Sequence, residues 1–247
     1  MGKKRRLDQL VVEKGLVESR AKAQAHILAG EVSVNGQVFR KVSKVIDPTA
    51  EISFNPGGPQ YVSRGGGKLA GALDHFQINP KGWFCLDVGA STSGFTDCLL
   101  QRGAAHVFAM DVGTDQLHPK IREDSHVTWK ENLHISNLRP ENLPQLADMA
   151  VIDVSFISLK KALPSVLACL KPGGHLLALI KPQFEVGPKD LGKSGILKNE
   201  DKRQEVIQDL SLFCTEDLEL EKVACQDSVI AGQGGNQETF LLAHKPV

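Results

Sequence analysis

The sequence predicts an α/β fold, a doubly wound sheet with helices on both faces, preceded by a smaller α+β domain. Short apolar runs alternate with helical patterns throughout the chain after Tyr61, as such a sheet requires. Before that point, helical stripes are followed by strand-like pairs, and the run Asn55-Pro56-Gly57-Gly58-Pro59 has the composition of a linker. We therefore expect domains over residues 1–54 and 61–247, with residues 55–60 between them.

Two short helices and a hairpin are predicted in the first domain. Ser19 can cap the second helix, and Gly30 can end it. The pair Asn35-Gly36 lies between alternating valines, which is typical of a tight hairpin turn. The residues expected on the buried helix faces are Leu7, Leu10, Val11, Ala23, Ile27 and Leu28.

Seven apolar segments of the second domain are predicted as strands. The run Lys171-Pro172-Gly173-Gly174 is expected to end a helix. Trp83 and Trp129 lie in apolar segments, so we expect both in the core rather than as platforms for nucleobases. The predicted strands are residues 83–86, 106–110, 127–130, 149–152, 175–180, 218–224 and 239–243, and the predicted helices are residues 68–76, 95–100, 159–170 and 201–213.

A glycine-containing turn follows the first of these strands, in the sequence Asp87-Val88-Gly89-Ala90-Ser91-Thr92-Ser93-Gly94. A strand that ends in an acidic residue and turns into a helix is typical of a nucleotide-type cofactor site, although other strand-to-helix turns share the pattern. The spacing fits neither the dinucleotide fingerprint nor a P-loop. The carboxylate of Asp87 suits a cationic ligand, which points to S-adenosylmethionine, whose methionine moiety would pass Gly89, Ser93 and Gly94.

Two polar residues after the next strands extend this expectation. Asp111 is expected to bond the cofactor's ribose hydroxyls, as acidic residues do at that position in Rossmann-type sites; a capping role is the alternative. Asn132 is a candidate for the adenine edge, or a plain loop amide.

Charge is unevenly distributed, although the whole chain has a formal net charge of zero. The first 59 residues hold ten Lys and Arg against six Asp and Glu, 10 − 6 = +4, so the remainder carries −4. This asymmetry suggests that the first domain binds nucleic acid. The alternative is that its basic surface is simply solvated. Near the helix starts, the side chains that could meet phosphates are Arg5, Arg6, Arg20 and Lys22.

The remaining composition excludes several other classes of protein. The five cysteines are far apart and the eight histidines are scattered, so we expect no metal site and reduced thiols in a cytoplasmic protein. No apolar stretch approaches the ~20 residues that span a bilayer, and no secretory signal is recognised, so no membrane partner is expected. The sequence carries no signal for the oligomeric state.

Family resemblances sharpen these expectations. The segments Arg6-Leu7-Asp8, Gly15-Leu16-Val17 and Gly30-Glu31-Val32 resemble the RNA-binding domain first seen in ribosomal protein S-four. The rest resembles FtsJ-type methyltransferases, and the whole chain resembles the TlyA family of ribosomal-RNA 2′-O-methyltransferases. The motifs that carry this are Tyr61-Val62-Ser63-Arg64-Gly65-Gly66-Gly67-Lys68-Leu69, the Asp87 turn, Val151-Ile152-Asp153-Val154-Ser155-Phe156, Ile180-Lys181-Pro182-Gln183-Phe184-Glu185 and Gly232-x-Gly234-Gly235-Asn236-x-Glu238.

The resemblance implies a seven-stranded, mostly parallel sheet, S-adenosylmethionine as methyl donor, and ribosomal RNA or a ribosomal subunit as partner, with a cytidine as target. It also implies a catalytic tetrad of Lys68, Asp153, Lys181 and Glu238. We expect Lys181 to act as general base, because burial and a nearby cation such as Lys68 favour a neutral amine. Asp153 would orient Lys181, Lys68 would also contact a substrate phosphate, and Glu238 would hold the ribose or the lysines.

This chain departs from the family pattern at three positions. Ser93 and Ser194 stand where the family usually has glycine, and Val229 stands where it usually has proline. Two other functions stay open. Members of this family are often called haemolysins, which would imply a membrane-active protein. A ribosome-assembly factor that binds RNA and has a silent methyltransferase fold is the other alternative.

Overall fold

The computed structural model describes residues 4–57, 60–192, 195–232 and 234–247. The chain forms two compact units, Met1–Arg64 and Gly65–Val247. Gly58 and Pro59 of the expected linker lie outside the described residues, as does Ser194. The domain limits expected at residues 54 and 61 stay a prediction.

The first unit contains two helices and two small antiparallel sheets. One sheet pairs β1 with β4, and the other has the order β3-β2-β5. The apolar faces of both helices pack with β2 into a small core. The elements are β1 (Arg5–Arg6), α1 (Leu7–Glu13), α2 (Arg20–Ala29), β2 (Val32–Val34), β3 (Gln37–Val38), β4 (Val45–Ile46) and β5 (Ile52–Phe54).

The predicted helix cap, helix end and hairpin turn of the first unit are present, whereas one predicted buried residue is exposed. The Ser19 hydroxyl accepts a hydrogen bond from the Lys22 backbone N–H at 3.3 Å and caps α2. Gly30 ends α2 in the left-handed conformation, and the hairpin turn has positive φ at Asn35. Leu28 was expected to be buried, but it is 59% exposed. Successive residues of a helix point about 100° apart, so the narrow buried stripe of α2 excludes it.

The second unit is a seven-stranded sheet of order β11-β12-β10-β9-β6-β7-β8, as predicted. The neighbours from β10 to β8 pair in parallel, whereas β12 pairs antiparallel with β10 and β11. The elements are α3 (Arg64–His75), β6 (Phe84–Val88), α4 (Gly94–Gln101), β7 (His106–Met110), α5 (Pro119–Arg122), β8 (Val127–Lys130), β9 (Ala147–Ile152), α6 (Leu159–Ala168), β10 (Leu170–Ile180), α7 (Glu200–Leu212), β11 (Glu221–Asp227) and β12 (Thr239–His244).

Two predicted boundaries were wrong. The strand expected at residues 218–224 lies at Glu221–Asp227, because a π-helical turn, Phe213–Asp217, extends α7. The run that begins at Lys171 was expected to end a helix, but it belongs to β10, whose pairing with β9 shifts register between Leu170 and His175. The shift admits two glycines into the strand as a bulge, a common role of glycine there.

The two tryptophans differ from the expectation that both are core residues. Trp83 is partly buried and contacts the His175 ring at 4.8 Å between centroids. Trp129 is 38% exposed, so its prediction was wrong. It lies on β8, the edge strand of the sheet, where the Arg122 guanidinium covers the ring at 4.5 Å. An edge strand has a neighbour on one side only, and apolar character alone does not reveal this.

The main core lies between the sheet and its helices and is built from aliphatic residues of β6, β9, β10 and α6. This layer fixes the carboxyl ends of the parallel strands at one edge of the sheet, where open α/β sheets bind ligands. Within the described ranges, every helix is too short or too polar to cross a lipid bilayer.

Candidate active site

The strand register brings Asp153, Lys181 and Glu238 to one edge of the sheet. Asp153 directly follows β9 and Lys181 directly follows β10, and these two strands are parallel neighbours. Glu238 directly precedes β12, whose first residue is opposite the last residue of β10, Ile180. Continued by one position, this antiparallel register brings Lys181 opposite Glu238. Three residues that are far apart in the chain thus meet because their strands are adjacent.

Each lysine of the predicted tetrad is paired with one carboxylate. The ammonium of Lys68, which extends from α3, forms an ion pair with Glu238, and both residues are almost completely buried. Lys181 Nζ lies 2.5 Å from Asp153 Oδ1 and donates a hydrogen bond to Ser155 Oγ at 2.9 Å. Charges withdrawn from water are tolerated only when they are paired, which explains why the four charges, two buried and two half-buried, occur as two pairs.

Two glycines leave room for the Glu238 carboxylate and for the Asp153 backbone. A Cβ atom at Gly232 would lie 2.5 Å from Glu238 Oε1. A Cβ atom at Gly89 would lie 2.5 Å from the Asp153 carbonyl oxygen, and the φ of Gly89 is +84°. Any side chain at either position would displace the site, so the glycines of both motifs have a steric function.

Asp87 is fully buried at the end of β6. Its Oδ2 accepts a hydrogen bond from the Thr96 hydroxyl at 2.6 Å, whereas Oδ1 has no hydrogen-bond partner. Burial raises the pKa of the Asp87 carboxyl to about 7. The negative charges of Asp153 and Asp111 also raise this pKa, whereas the hydrogen bonds from Thr96 lower it. A buried acceptor without a partner is costly, and an absent ligand is one common reason for it.

Ser93 occupies a conformation that glycine adopts more easily. Its φ is +68°, in the left-handed region, and it precedes α4 without capping it through its side chain. The residue is completely buried, and its Oγ has no hydrogen-bond partner. The backbone of the turn is held instead by the Ser93 N–H, which donates to the Ala90 carbonyl at 2.6 Å. Gly94 follows as the first residue of α4.

The two further cofactor candidates occupy different environments. Asp111 follows β7, and its carboxylate accepts hydrogen bonds from the backbone N–H groups of Ser91 at 2.8 Å and Gly113 at 2.7 Å. It thereby ties the turn after β6 to the turn after β7. Asn132 is exposed, has a φ of +57° and accepts a hydrogen bond from the Thr114 hydroxyl at 2.8 Å.

The basic candidates of the first unit are all partly exposed, and each is paired with a carboxylate. Arg6 and Arg20 both bind the fully buried Asp8, at 3.0 and 2.7 Å. Arg5 binds Glu13 at 2.6 Å, and Lys22 binds Glu18, which lies four residues earlier and outside α2. Asp8 thus orients two guanidinium groups whose outer surfaces remain open to solvent.

Comparison with known proteins decides the family. The FtsJ-like methyltransferase family matches residues 61–245, and the S4 domain matches residues 5–52. A Mycobacterium tuberculosis protein named 16S/23S rRNA (cytidine-2′-O)-methyltransferase TlyA is 38% identical over 98% of this chain and 90% of its own length. The chain belongs to the TlyA family of FtsJ-like methyltransferases.

Other members of the family carry a different name. A Brachyspira hyodysenteriae protein named Hemolysin A is 40% identical over 97% of this chain and 98% of its own. A solved structure from Streptococcus thermophilus, described provisionally as a hemolysin, has 37% sequence identity and a TM-score of 0.77. It covers 98% of this TlyA-family chain and 89% of the solved chain.

One aromatic residue of this TlyA-family site was not among the sequence candidates. Phe156 is 90% exposed, has a φ of +63° and lies three residues after Asp153. Its ring contacts the Phe184 ring at 4.8 Å between centroids, and Phe184 lies three residues after Lys181. Both residues belong to motifs of the family resemblance, but apolar residues beside a strand suggest burial, so no local pattern revealed that Phe156 is exposed and Phe184 half-buried.

Histidine and cysteine do not form a further centre in the part of the chain that the structure describes. No group of three or more His, Cys, Asp and Glu side chains is placed to hold a metal ion there. All five cysteines are free thiols, and four of them are buried. Burial raises the pKa of the Cys85 thiol to about 12, so this thiol remains protonated.

Proposed function

We propose that this chain transfers a methyl group from S-adenosylmethionine to the ribose 2′-hydroxyl of a cytidine in ribosomal RNA. The observation that carries the proposal is the pair of lysine–carboxylate contacts, Lys68 with Glu238 and Lys181 with Asp153, at the ligand-binding edge of a methyltransferase sheet. The name of the Mycobacterium tuberculosis relative supplies the nucleotide and the RNA.

The turn after β6 fits the methionine end of S-adenosylmethionine. Asp87 offers a buried carboxylate oxygen without a partner, and an ammonium group is the ligand that would satisfy it. Gly89 lets the backbone of this turn pass close to the Asp153 carbonyl, and we assign Gly89 to the methionine moiety and Asp111 to the ribose hydroxyls of the cofactor. We further assign the backbone of Ser93 and Gly94 to the cofactor turn, and Asn132 to the adenine edge.

Lys181 is proposed as the general base. When bound, S-adenosylmethionine supplies an electrophilic methyl group on a cationic sulfur, which leaves as a neutral thioether with the electron pair of the broken bond. Lys181 receives the proton that the 2′-hydroxyl loses as its oxygen bonds to the methyl carbon. Asp153 and Ser155 orient the Lys181 nitrogen, and the lone pair of the neutral amine is left to accept the proton of the ribose hydroxyl. Holding the two reactants in line supplies a further ~7–11 kcal/mol of barrier reduction.

Lys68 and Glu238 are proposed to shape the site rather than to move the proton. The buried carboxylate of Glu238 keeps the Lys68 ammonium inside the protein, at the sheet edge that also carries Lys181. The contact of Lys68 with an RNA phosphate, expected from the sequence, would require this pair to open. We therefore assign phosphate contacts to the first domain, through Arg5, Arg6, Arg20 and Lys22.

The aromatic pair Phe156 and Phe184 is proposed to receive the target base. A nucleotide within an RNA helix must leave the base stack before an enzyme can act on its ribose. An exposed aromatic ring is a surface on which the extruded base can stack. Phe156 stays exposed in a left-handed conformation although burial would be favourable, which supports a role in ligand binding.

Methyl transfer to ribosomal subunits tests the proposal. Purified protein is incubated with tritiated S-adenosylmethionine and 30S or 50S subunits from a strain that lacks the gene, and the modified nucleotide is mapped. We expect one or more 2′-O-methylcytidines, formed by the wild type and not by Lys181→Ala. Near-normal single-turnover methylation by Lys181→Ala at saturating cofactor would contradict the base assignment. Since the proposed substrate is ribosomal, we place the protein in the cytoplasm.

The same preparation separates the other functions. RNA binding without methyl transfer by the wild type would favour an assembly factor with a silent methyltransferase fold. The hemolysin names of relatives call for a liposome test, in which pure protein is added to dye-loaded vesicles. Dye release without other factors would favour a membrane-active protein.

A further inference from the structure

Asn236 connects the turn that carries Glu238 to the segment that follows Lys181. The residue is 5% exposed. Its Oδ1 accepts a hydrogen bond from the Leu197 N–H at 2.8 Å, and its Nδ2 donates one to the Gly195 carbonyl at 3.2 Å. Both partners lie in the segment that leads from Lys181 to α7, so one buried amide joins two parts of the site.

The turn that precedes Asn236 brings Gly232 against the Glu238 carboxylate. The Gly232 N–H donates to the Asn236 carbonyl at 2.9 Å, and the Gly235 N–H donates to the Gly232 carbonyl at 2.9 Å. Gly232 is also the residue whose missing Cβ leaves space for Glu238 Oε1. The backbone at Gly232, beside the Glu238 carboxylate, is therefore bonded directly to Asn236.

The base of the same turn is fixed by a different residue. Arg203 is buried at the start of α7 and binds Asp227 with two hydrogen bonds of 2.7 and 3.1 Å. It also donates to Thr239 Oγ1 at 3.0 Å. Arg203 thus fixes the two strand ends from which the turn leaves the sheet, whereas Asn236 fixes the part that lies near Gly195 and Leu197.

We propose that Asn236 is a positioning residue that sets the location of Glu238, and through it the Lys68 ammonium, in the methyltransferase site; the inference rests on the proposed function. An exposed asparagine amide can form its hydrogen bonds with water. The Asn236 amide is buried instead, and both its oxygen and its nitrogen bond to the segment that follows Lys181. A displacement of about 1 Å in a catalytic group can slow a reaction about 100-fold. Without the amide, the turn loses the two side-chain hydrogen bonds by which it is joined to Gly195 and Leu197.

A double-mutant comparison tests this. Single-turnover methyl transfer at saturating S-adenosylmethionine and RNA is measured for the wild type, Asn236→Ala, Glu238→Gln and the double variant, together with the Kd of S-adenosylmethionine and the Tm. We expect Asn236→Ala to slow the transfer about 10–100-fold while the Kd changes less than about twofold. In the Glu238→Gln background the same substitution should slow transfer less than about twofold, whereas its effect on the Tm should be unchanged.

Asn199 provides the matched control. Its side chain caps α7 by accepting the Lys202 N–H at 3.1 Å and makes no described contact to the Glu238 turn. Asn199→Ala should lower the Tm and leave the transfer rate unchanged. An equal loss of rate from Asn236→Ala in both backgrounds, or a rate within about twofold of the wild type, would overturn the proposal.

Two outcomes are kept separate by this design. Full activity of Glu238→Gln would refute the proposed role of Glu238 itself, and the positioning role with it. An inactive Glu238→Gln beside a fully active Asn236→Ala would refute only the positioning role. If Asn236→Ala does not fold, Asn236→Asp keeps the acceptor for Leu197 and loses the donor to Gly195, and the same comparison of backgrounds is made with it.

Discussion

Lys68 and Glu238 are 170 positions apart in the chain, yet their side chains form an ion pair inside the protein. Neither charge could be buried alone, because an unpaired ion in the interior is strongly unfavourable. The pair therefore makes the fold of α3 and of the turn before β12 mutually dependent. A group proposed for catalysis also contributes to the specificity of the structure.

Removal of one partner of this pair should be more damaging than removal of both. We expect Lys68→Met or Glu238→Leu to lower the free energy of unfolding by about 3–5 kcal/mol, because each leaves one uncompensated buried charge. The double variant should recover most of that loss while remaining inactive. Urea denaturation monitored by circular dichroism measures these values. A double variant as unstable as the sum of the two single variants would show that the charges do not interact.

Binding of S-adenosylmethionine should strengthen as the pH rises towards 7. The pKa of Asp87 is raised to about 7, so its carboxyl is largely protonated at pH 5.5 and can hold a cation only after it ionises. Calorimetry between pH 5.5 and 7.5 should show a Kd that falls and then levels, and Asp87→Asn should bind more weakly with a flat profile. A wild-type Kd that does not change with pH would contradict this role of Asp87.

The raised pKa of Asp87 also has a consequence for stability without ligand. The folded protein binds a proton that the unfolded chain has lost between about pH 4 and pH 7, so this group contributes less stability as the pH rises through that range. Asp87→Asn should weaken this decline. Thermal melts of the ligand-free protein at pH 5.5 and 7.5 measure the difference, with Asp111→Asn as the comparison.

Ser93→Gly should stabilise the protein. Serine in the left-handed conformation is unfavourable by about 1–2 kcal/mol, and glycine loses about 0.4–1 kcal/mol through greater freedom of the unfolded chain. Because the buried Ser93 hydroxyl also lacks a partner, we expect a net gain of about 1 kcal/mol. Ser91→Gly is the control, since Ser91 also has a positive φ but is exposed. A lower Tm for Ser93→Gly would show that its hydroxyl is satisfied.

Phe156→Ala should impair RNA binding without loss of stability. The ring is 90% exposed, so its removal loses little buried area, whereas the stacking of one base contributes about 1–3 kcal/mol. We expect the KM for ribosomal subunits to rise about 5–150-fold with an unchanged Tm. Leu212→Ala, which shortens an exposed side chain on α7, is the control. An unchanged KM would remove Phe156 from the RNA-binding surface.

Arg20→Ala should weaken RNA binding in a way that depends on salt. Loss of one phosphate contact should reduce the slope of log K against log salt concentration by about 1 and affect all sequences alike. Asp8 would keep its contacts with Arg6 and Gln24, so the domain should stay folded. Lys14→Ala serves as control, because the Lys14 ammonium bonds to the Ala50 carbonyl. Equal slopes for Arg20→Ala and the wild type would exclude a phosphate contact at this residue.

Local chemistry made much of the fold predictable. The Ser19 cap, the Gly30 helix end and the Asn35-Gly36 turn act within a few residues, so their effect can be read along the chain. The alternation of strands and helices predicted a doubly wound sheet, and the structure has such a sheet with seven strands. Errors occurred at Leu28 and Trp129, where exposure depends on what the neighbouring elements cover rather than on the apolarity of the residue.

The sequence by itself determined the residue types of the site and their place at strand ends, because strand periodicity and glycine-containing turns are local properties. Tertiary structure decided which charge pairs with which: Lys68 with Glu238 and Lys181 with Asp153. It also decided that Phe156 is exposed and that Asn236 is buried. Pairing and burial depend on the order in which strands lie side by side, and no local pattern in a chain specifies the neighbour that a distant segment will provide.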